Sequence, residues 1–209
     1  MRLYCTPGRS SQAPHIALRE LGIPVRLIAV DLHTGRTAEG EDFIRLNPFG
    51  TVPLLMLDNE DTLREVPAIL RFVAGFGGSP QLLPPAGTVA ALRTEEWLGF
   101  LSSELHARLD AFSQARTLGD AARLRLGLMK RFAWIDLRLA TGPFLTDHGY
   151  SVADIYLWVL ANWARAPWIH SVRGLDLDLA PFDNIRSWHA RVAARPAVCA
   201  ALAAEAALA

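Results

Sequence analysis

An excess of either charge is missing: 21 lysines and arginines balance 21 aspartates and glutamates. Without a basic surplus to neutralise phosphates, nucleic acid is not the expected partner. Cysteine is scarce as well. Cys5 and Cys199 stand near opposite ends of the 209 residues, and no Cys-x-x-Cys or other metal-ligand spacing is present. Long apolar runs are absent. The most apolar stretch, residues 155–161, is bounded by Asp154 and Asn162 and is too short to span a bilayer. The opening residues, from Met1 to Pro7, lack the apolar core of a signal peptide. There is no internal repeat, and low complexity is confined to the alanine-rich tail. These absences point to a reduced, cytoplasmic protein with no metal, membrane or nucleic-acid partner. What is present is 51% hydrophobic and 20% charged, a globular balance with a core large enough for one or two domains.

The first third alternates element types. Residues 2–5 read as a strand, and residues 10–21 carry Ala13, Ala17 and Leu21 at helical spacing. Ile23-Pro24 breaks that helix before a second strand at 25–30. A polar stretch over 31–41 leads to a short helical piece ending at Asn47-Pro48. Strands at 54–57 and 62–63 flank the turn Asp58-Asn59-Glu60-Asp61. Pro67 suits the first turn of a helix running to Phe76. The expected order is βαβαββα, a small mixed sheet with helices on its faces. Prolines and glycines over 79–87 then mark a linker between residues 1–78 and an all-helical domain, 88–209.

In that second part, long helices are expected over 88–112 and 119–140, with further helices from Ser151, Asp183 and Pro196. Leu98, Leu101, Leu105 and Leu109 form one buried face. Ser151-Val152-Ala153-Asp154 has the form of a capping box, with Tyr150 and Ile155 as its hydrophobic staple. The helix it starts is apolar nearly all round and should be a buried spine.

The most informative tract is Asn47-Pro48-Phe49-Gly50-Thr51-Val52-Pro53-Leu54, followed by Glu65-Val66-Pro67. Asn47, Pro48 and Gly50 are turn formers. Pro53 opens an apolar strand at a position where its missing N–H implies an edge or bend, and it is a candidate for the cis isomer.

Taken together, the order and spacing of several short motifs resemble the glutathione S-transferases, over essentially the whole chain. Those motifs are Leu3-Tyr4-x-Thr6-Pro7-Gly8, Ser11-x-Ala13-Pro14-His15, Asn47-Pro48-x-Gly50-x-Val52-Pro53, Glu96-Trp97-Leu98, Glu104-Leu105-His106 and Arg195-Pro196. The resemblance is greatest to the bacterial beta class. It implies a thioredoxin-like N-terminal domain, an all-α C-terminal domain, a homodimer, and glutathione as co-substrate for conjugation to a small hydrophobic electrophile.

Residue by residue, the resemblance implies that Val52 pairs its backbone with the cysteinyl unit, freed to do so by a cis Pro53. It implies that Glu65 receives the α-ammonium and that the helix from Val66 points amides at the γ-glutamyl carboxylate. Beta-class enzymes usually carry a cysteine where this chain has Ser10. A serine cannot form their mixed disulfide, but its hydroxyl can donate to a thiolate and so lower the thiol pKa. A plain helix cap is the other reading of Ser10 or Ser11, and one serine can cap while the other donates. His106, on a stripe with Gly99, Ser103 and Asp110, is implied beside the glutathione sulfur as acid, base or donor, with Trp163 as a second wall; a solvated helix face is the alternative. Cys5 reads as a buried small hydrophobe or as a redox thiol.

The departures from the family pattern matter equally. The lysine expected to hold the glycyl carboxylate is replaced by Gly35, with Arg36 next to it as a substitute. Val66 offers no side-chain donor, Pro67 removes an amide, and Gly99 and Ala107 replace an asparagine and a lysine. A lost hydrogen bond to a charged group costs about 1.5–3 kcal/mol, so two weaken binding by roughly a hundredfold. A non-catalytic ligand- or protein-binding member, or a glutathione-dependent isomerase, dehalogenase or peroxidase, is therefore kept as an alternative.

Overall fold

The computed structural model describes residues 1–169 and 175–208. It divides into two compact units, Met1–Ser79 with Ala194–Ala209, and Pro80–Ala193.

The first unit is built on β1 (Arg2–Cys5), α1 (Gln12–Glu20), β2 (Arg26–Asp31), β3 (Arg36–Thr37), α2 (Phe43–Leu46), β4 (Leu54–Met56), β5 (Thr62–Leu63) and α3 (Val66–Phe76). The sheet order is β3-β2-β1-β4-β5, with β1 and β2 parallel and the other pairs antiparallel. The expected order lacked β3. That strand is two residues long and pairs Arg36 with Asp31 and Thr37 with Val30, so no apolar alternation marks it.

Alternation of side chains across the pleat gives each sheet face its own core. Tyr4, Ile28, Val30, Leu54 and Met56 cluster with Phe43 on one face. Leu3, Cys5 and Leu55 are fully buried on the other, while α1 and α3 pack together with Ile16, Leu18, Ile69, Leu70 and Val73 inside. Because β4 is covered on both faces, its sequence is a continuous apolar run, as the sequence suggested.

In the second unit, α4 (Val89–Phe100) is capped by Thr88, whose hydroxyl accepts from Ala91 N at 3.1 Å. The single helix expected over 88–112 is instead three pieces: α4, a widened π-helical stretch at Leu101–His106, and α5 (Ala107–Ser113). The leucine stripe stays buried through this change. α6 (Leu118–Leu139) follows, then the spine α7 (Val152–Trp163), buried at all but one position.

The start of α7 is held by Asp154, which is fully buried. Its Oδ2 accepts from Ser151 N at 3.0 Å and Ser151 Oγ at 3.1 Å; its Oδ1 accepts from Leu145 N at 3.0 Å and Trp188 Nε1 at 2.9 Å. Trp188 lies on α8 (Asp183–Ala193), so one carboxylate joins the loop before α7, the helix start and a neighbouring helix. Burial pushes its pKa up to about 6, opposed by the bonds it accepts.

The last helix, α9 (Pro196–Ala206), was placed by the sequence in the 88–209 domain. It packs on α1, in the first unit. Arg195 at its start grips Glu20 of α1 through two nitrogens, at 2.6 and 2.9 Å. No helix among the described residues is long and apolar enough to cross a membrane.

Candidate functional site

The sheet register gathers the predicted residues of the first unit at one end. β1 runs antiparallel to β4 with Tyr4 opposite Leu54, so the loop after Cys5 meets the loop before Leu54. β4 pairs with β5 with Leu55 opposite Leu63, which carries Pro53 and Glu65 to the same end of that hairpin. Here the Val52–Pro53 peptide bond is cis.

Ser10 and Val52 touch. The Ser10 hydroxyl, almost fully buried, donates to the Val52 carbonyl at 2.8 Å. It therefore does not cap α1. Ser11 stands at the cap position, but its hydroxyl instead bridges Thr6, accepting from Thr6 N at 3.1 Å and donating to Thr6 O at 3.2 Å. Neither serine spends its side chain on the helix amides, which removes the capping reading for both.

The corner is braced from beneath by Asn47, which is buried. Its Nδ2 donates to Thr51 O at 2.6 Å, and its Oδ1 accepts from Arg64 Nε at 3.2 Å. Arg64 also donates to Leu46 O at 2.8 Å. Asn47 was legible as a turn former; Arg64, an ordinary arginine in a strand-to-helix link, gave no signal.

Glu65 is exposed and does not cap α3 with its side chain. Its backbone is unusual: φ 68° and ψ 122° are rarely adopted by a residue with a Cβ. Holding such a conformation costs of order 1–3 kcal/mol, and outliers of this kind concentrate where function needs them. Val66 turns its side chain into the core, and Pro67 has no N–H, so the first turn of α3 offers the amides of Val66 and Ala68 only.

Arg36 reaches the same end of the sheet but on the far edge strand, and its guanidinium donates to Gly40 O at 3.1 Å. The neighbouring Gly35 sits at φ +67°, and a Cβ there would lie 3.0 Å from Ile44 Cγ1. A lysine at position 35 is thus opposed by both backbone and packing.

The loop carrying Ser10 has an anchor that the sequence did not disclose. Glu205 of α9, buried, accepts from Gly8 N at 3.2 Å and from Gln12 Nε2 at 2.9 Å, while its other oxygen lies 2.9 Å from His15 Nδ1. His15 Nε2 accepts from Arg19 Nε at 3.2 Å, so the His15 proton sits on Nδ1 and is donated to Glu205. The only hint was a single acid in an otherwise apolar, alanine-rich tail.

Cys5 is fully buried, and desolvation, reinforced by Glu205, pushes its thiol up to about 12. Full burial and a thiol shifted in that direction favour the small-hydrophobe reading of Cys5.

His106 belongs to the second unit and closes the π-helical stretch. Its Nδ1 lies 2.5 Å from Tyr156 Oη, its Nε2 3.4 Å from Asp110 Oδ2, and Trp163 packs edge-on at 4.8 Å between ring centroids. The solvated-face alternative fails for this residue, whose side chain is 19% exposed. Gly99 and Ser103 of the same stripe are exposed. No group of three or more metal-ligating side chains occurs among the described residues.

A cis Val52–Pro53 corner, a buried hydroxyl bonded to its carbonyl and an acid at a helix start are an arrangement suited to a small thiol peptide. Residues 10–75 match the model of the glutathione S-transferase N-terminal domain. Over 206 residues the chain is 32% identical to glutathione S-transferase GstA of Escherichia coli O157:H7, covering 98% of both. It is 34% identical to a solved beta-class glutathione S-transferase of Sphingomonas chungbukensis, with a TM-score of 0.89 and 98% of each chain covered. A sphingomonad glutathione S-transferase solved with glutathione gives 36% identity, a TM-score of 0.89 and 99% coverage of each chain. The chain belongs to the glutathione S-transferase family.

Proposed function

We propose that the protein is a glutathione transferase that conjugates glutathione to small hydrophobic electrophiles, with Ser10 as the thiolate donor. The observation that carries this reading is the Ser10–Val52 hydrogen bond. It joins the two groups that must act on one cysteinyl unit, the hydroxyl for its sulfur and the carbonyl for its amide. When a cysteinyl N–H pairs with the Val52 carbonyl, it replaces the serine proton there. That proton is then free to turn to the thiolate, which it stabilises as a charged acceptor.

Glu65 then takes the α-ammonium, the Val66 and Ala68 amides take the γ-glutamyl carboxylate, and Arg36 is the remaining candidate for the glycyl carboxylate. His106 and Trp163 are assigned to the electrophile side. A cytoplasmic homodimer fits the family, and Phe49 and Phe76, 79% and 65% exposed, are apolar surface of the kind a partner covers.

A second reading, a non-catalytic binding protein, draws on the same bond. An engaged Ser10, a buried Val66 side chain and the missing Pro67 amide leave fewer groups ready for the ligand. A thermal-shift titration separates the two. With a Kd of about 1 mM, about 10 mM glutathione stabilises the native state by about 1.4 kcal/mol and raises the Tm by roughly 3–6 °C. No shift would remove every glutathione-dependent reading. A shift without conjugation of a chromogenic aryl halide would favour the binding protein.

A further inference from the structure

We infer that the second unit holds a binding site for a small aliphatic hydroxy acid, in a cavity between α7 and α8 where Arg165 takes the carboxylate and His189 the hydroxyl. The cavity measures about 100 Å³ and opens to solvent, reaching about 450 Å³ with its mouth included. Leu179, Ala180 and Ile185 give it apolar walls, and Arg165, Arg186 and His189 supply its polar groups. An engineered apolar cavity of about 150 Å³ holds a benzene, so about 100 Å³ suits a branched group of three or four carbons with its polar end at the mouth.

The two arginines are spent differently. Arg186 donates to Ala180 O at 3.0 Å and to Asp183 Oδ1 at 2.6 Å, so its charge is already offset by a carboxylate of its own helix. Arg165, in the turn after α7, is exposed, and its guanidinium has no hydrogen-bond or ion-pair partner among the described residues. Burial, and after it the Arg165 charge, holds the His189 pKa below the ordinary imidazole value. At neutral pH the ring is therefore uncharged, and Arg165 is the cation left to be matched. A guanidinium so placed beside apolar walls favours a ligand with one acid group.

His189 is held on two sides. Its Nε2 lies 2.8 Å from Asn162 Oδ1, and the buried Trp158 ring stacks on it, with centroids 5.5 Å apart and 21° between planes. Its Nδ1 has no partner among the described residues. A hydroxyl both donates and accepts, so it pairs with Nδ1 whichever ring nitrogen carries the proton. A short branched chain bearing a carboxylate and a neighbouring hydroxyl therefore matches the walls, the guanidinium and the imidazole together. None of these residues is assigned to glutathione or to the electrophile, so the site does not rest on that reading.

The test is a titration of 15N-histidine-labelled protein with 2-hydroxy-3-methylbutanoate, without glutathione, at about pH 7.5, where an ordinary imidazole is mostly uncharged. His189→Gln identifies the His189 signals by their loss. Those signals should shift saturably with a Kd of about 1 mM, ordinary for a ligand this small. 3-Methylbutanoate, which lacks the hydroxyl, should bind about fivefold more weakly, and Arg165→Ala should weaken the hydroxy acid at least about tenfold. Arg165→Lys keeps the charge and should recover part of that loss. Because the Arg165 guanidinium holds nothing among the described residues, Arg165→Ala should melt within about 2 °C of wild type. No saturable shift up to about 20 mM, an unchanged affinity in Arg165→Ala, or equal binding of the two acids each overturns the inference. None of these outcomes involves glutathione, so a failure here is distinct from a failure of the proposed function.

Discussion

Removing the Glu205 carboxylate should loosen the loop that carries Ser10 from a distance of almost the whole sequence. In Glu205→Ala, the Gln12 side-chain amide and His15 Nδ1–H lose their acceptor at a buried site, and the Gly8 amide loses its bond to Glu205 at a part-buried one. A buried donor left without a partner costs about 1–3 kcal/mol. The three losses share one cavity and do not add fully, so about 3–5 kcal/mol is expected in total. For a chain of this size that lowers the Tm by roughly 10 °C, read by circular dichroism or dye-based melting. Glu205→Gln should fall in between, because its carbonyl can serve one donor while its NH2 faces the others. The same variants should lose glutathione-conjugating activity at temperatures where they remain folded, since Gly8 stands two residues before Ser10. A Glu205→Ala protein melting within about 2 °C of wild type would refute the claim that α9 clamps this loop.

Two other expectations follow from groups whose ionisation the fold alters. Asp154 has a pKa of about 6 in the folded chain, above its unfolded value, so the native state holds a proton between about pH 4 and 6 that the unfolded chain releases. Its contribution is complete below pH 4 and lost as pH rises through 6. The stability of wild type relative to Asp154→Asn, measured by denaturant melts, should therefore fall across that window by about 3 kcal/mol at most; a difference that rises with pH would contradict the assignment. Cys5, with its thiol pushed up to about 12, should resist a thiol reagent in the native protein while the exposed Cys199 reacts. Rapid modification of both cysteines would show that Cys5 is reachable and ionisable.

The parts of the fold legible in the sequence are those with a local cause. Leu54-Leu55-Met56 announces a strand because both its faces are covered, and Ser151-x-x-Asp154 announces a helix start because the capping groups are three residues apart. Leu98, Leu101, Leu105 and Leu109 announce a buried face whether the helix is α or locally π, which is why the widening over Leu101–His106 left no trace in the pattern. β3 was invisible because two polar residues pair with Val30 and Asp31 through a turn, not through an apolar stripe. The place of α9 was invisible because its decisive side chain, Glu205, meets partners 190 and more residues away.

The candidate site divides along the same line. The Val52–Pro53 corner and Glu65 were marked by turn residues and by family pattern. The pairing of Ser10 with the Val52 carbonyl was not, because nothing in their spacing says that the two groups satisfy each other without a ligand. Arg64 and Asn47, which hold the corner, act through backbone carbonyls that carry no sequence signal.

The central claim is that the Ser10 hydroxyl leaves the Val52 carbonyl to stabilise a glutathione thiolate. The most direct measurement is an ultraviolet titration of the thiolate of bound glutathione in wild type and Ser10→Ala. The wild type should lower the thiol pKa below its ordinary value of about 8.5, and Ser10→Ala should return it toward that value while still binding glutathione through the corner. Equal thiol pKa values in the two proteins would contradict the claim.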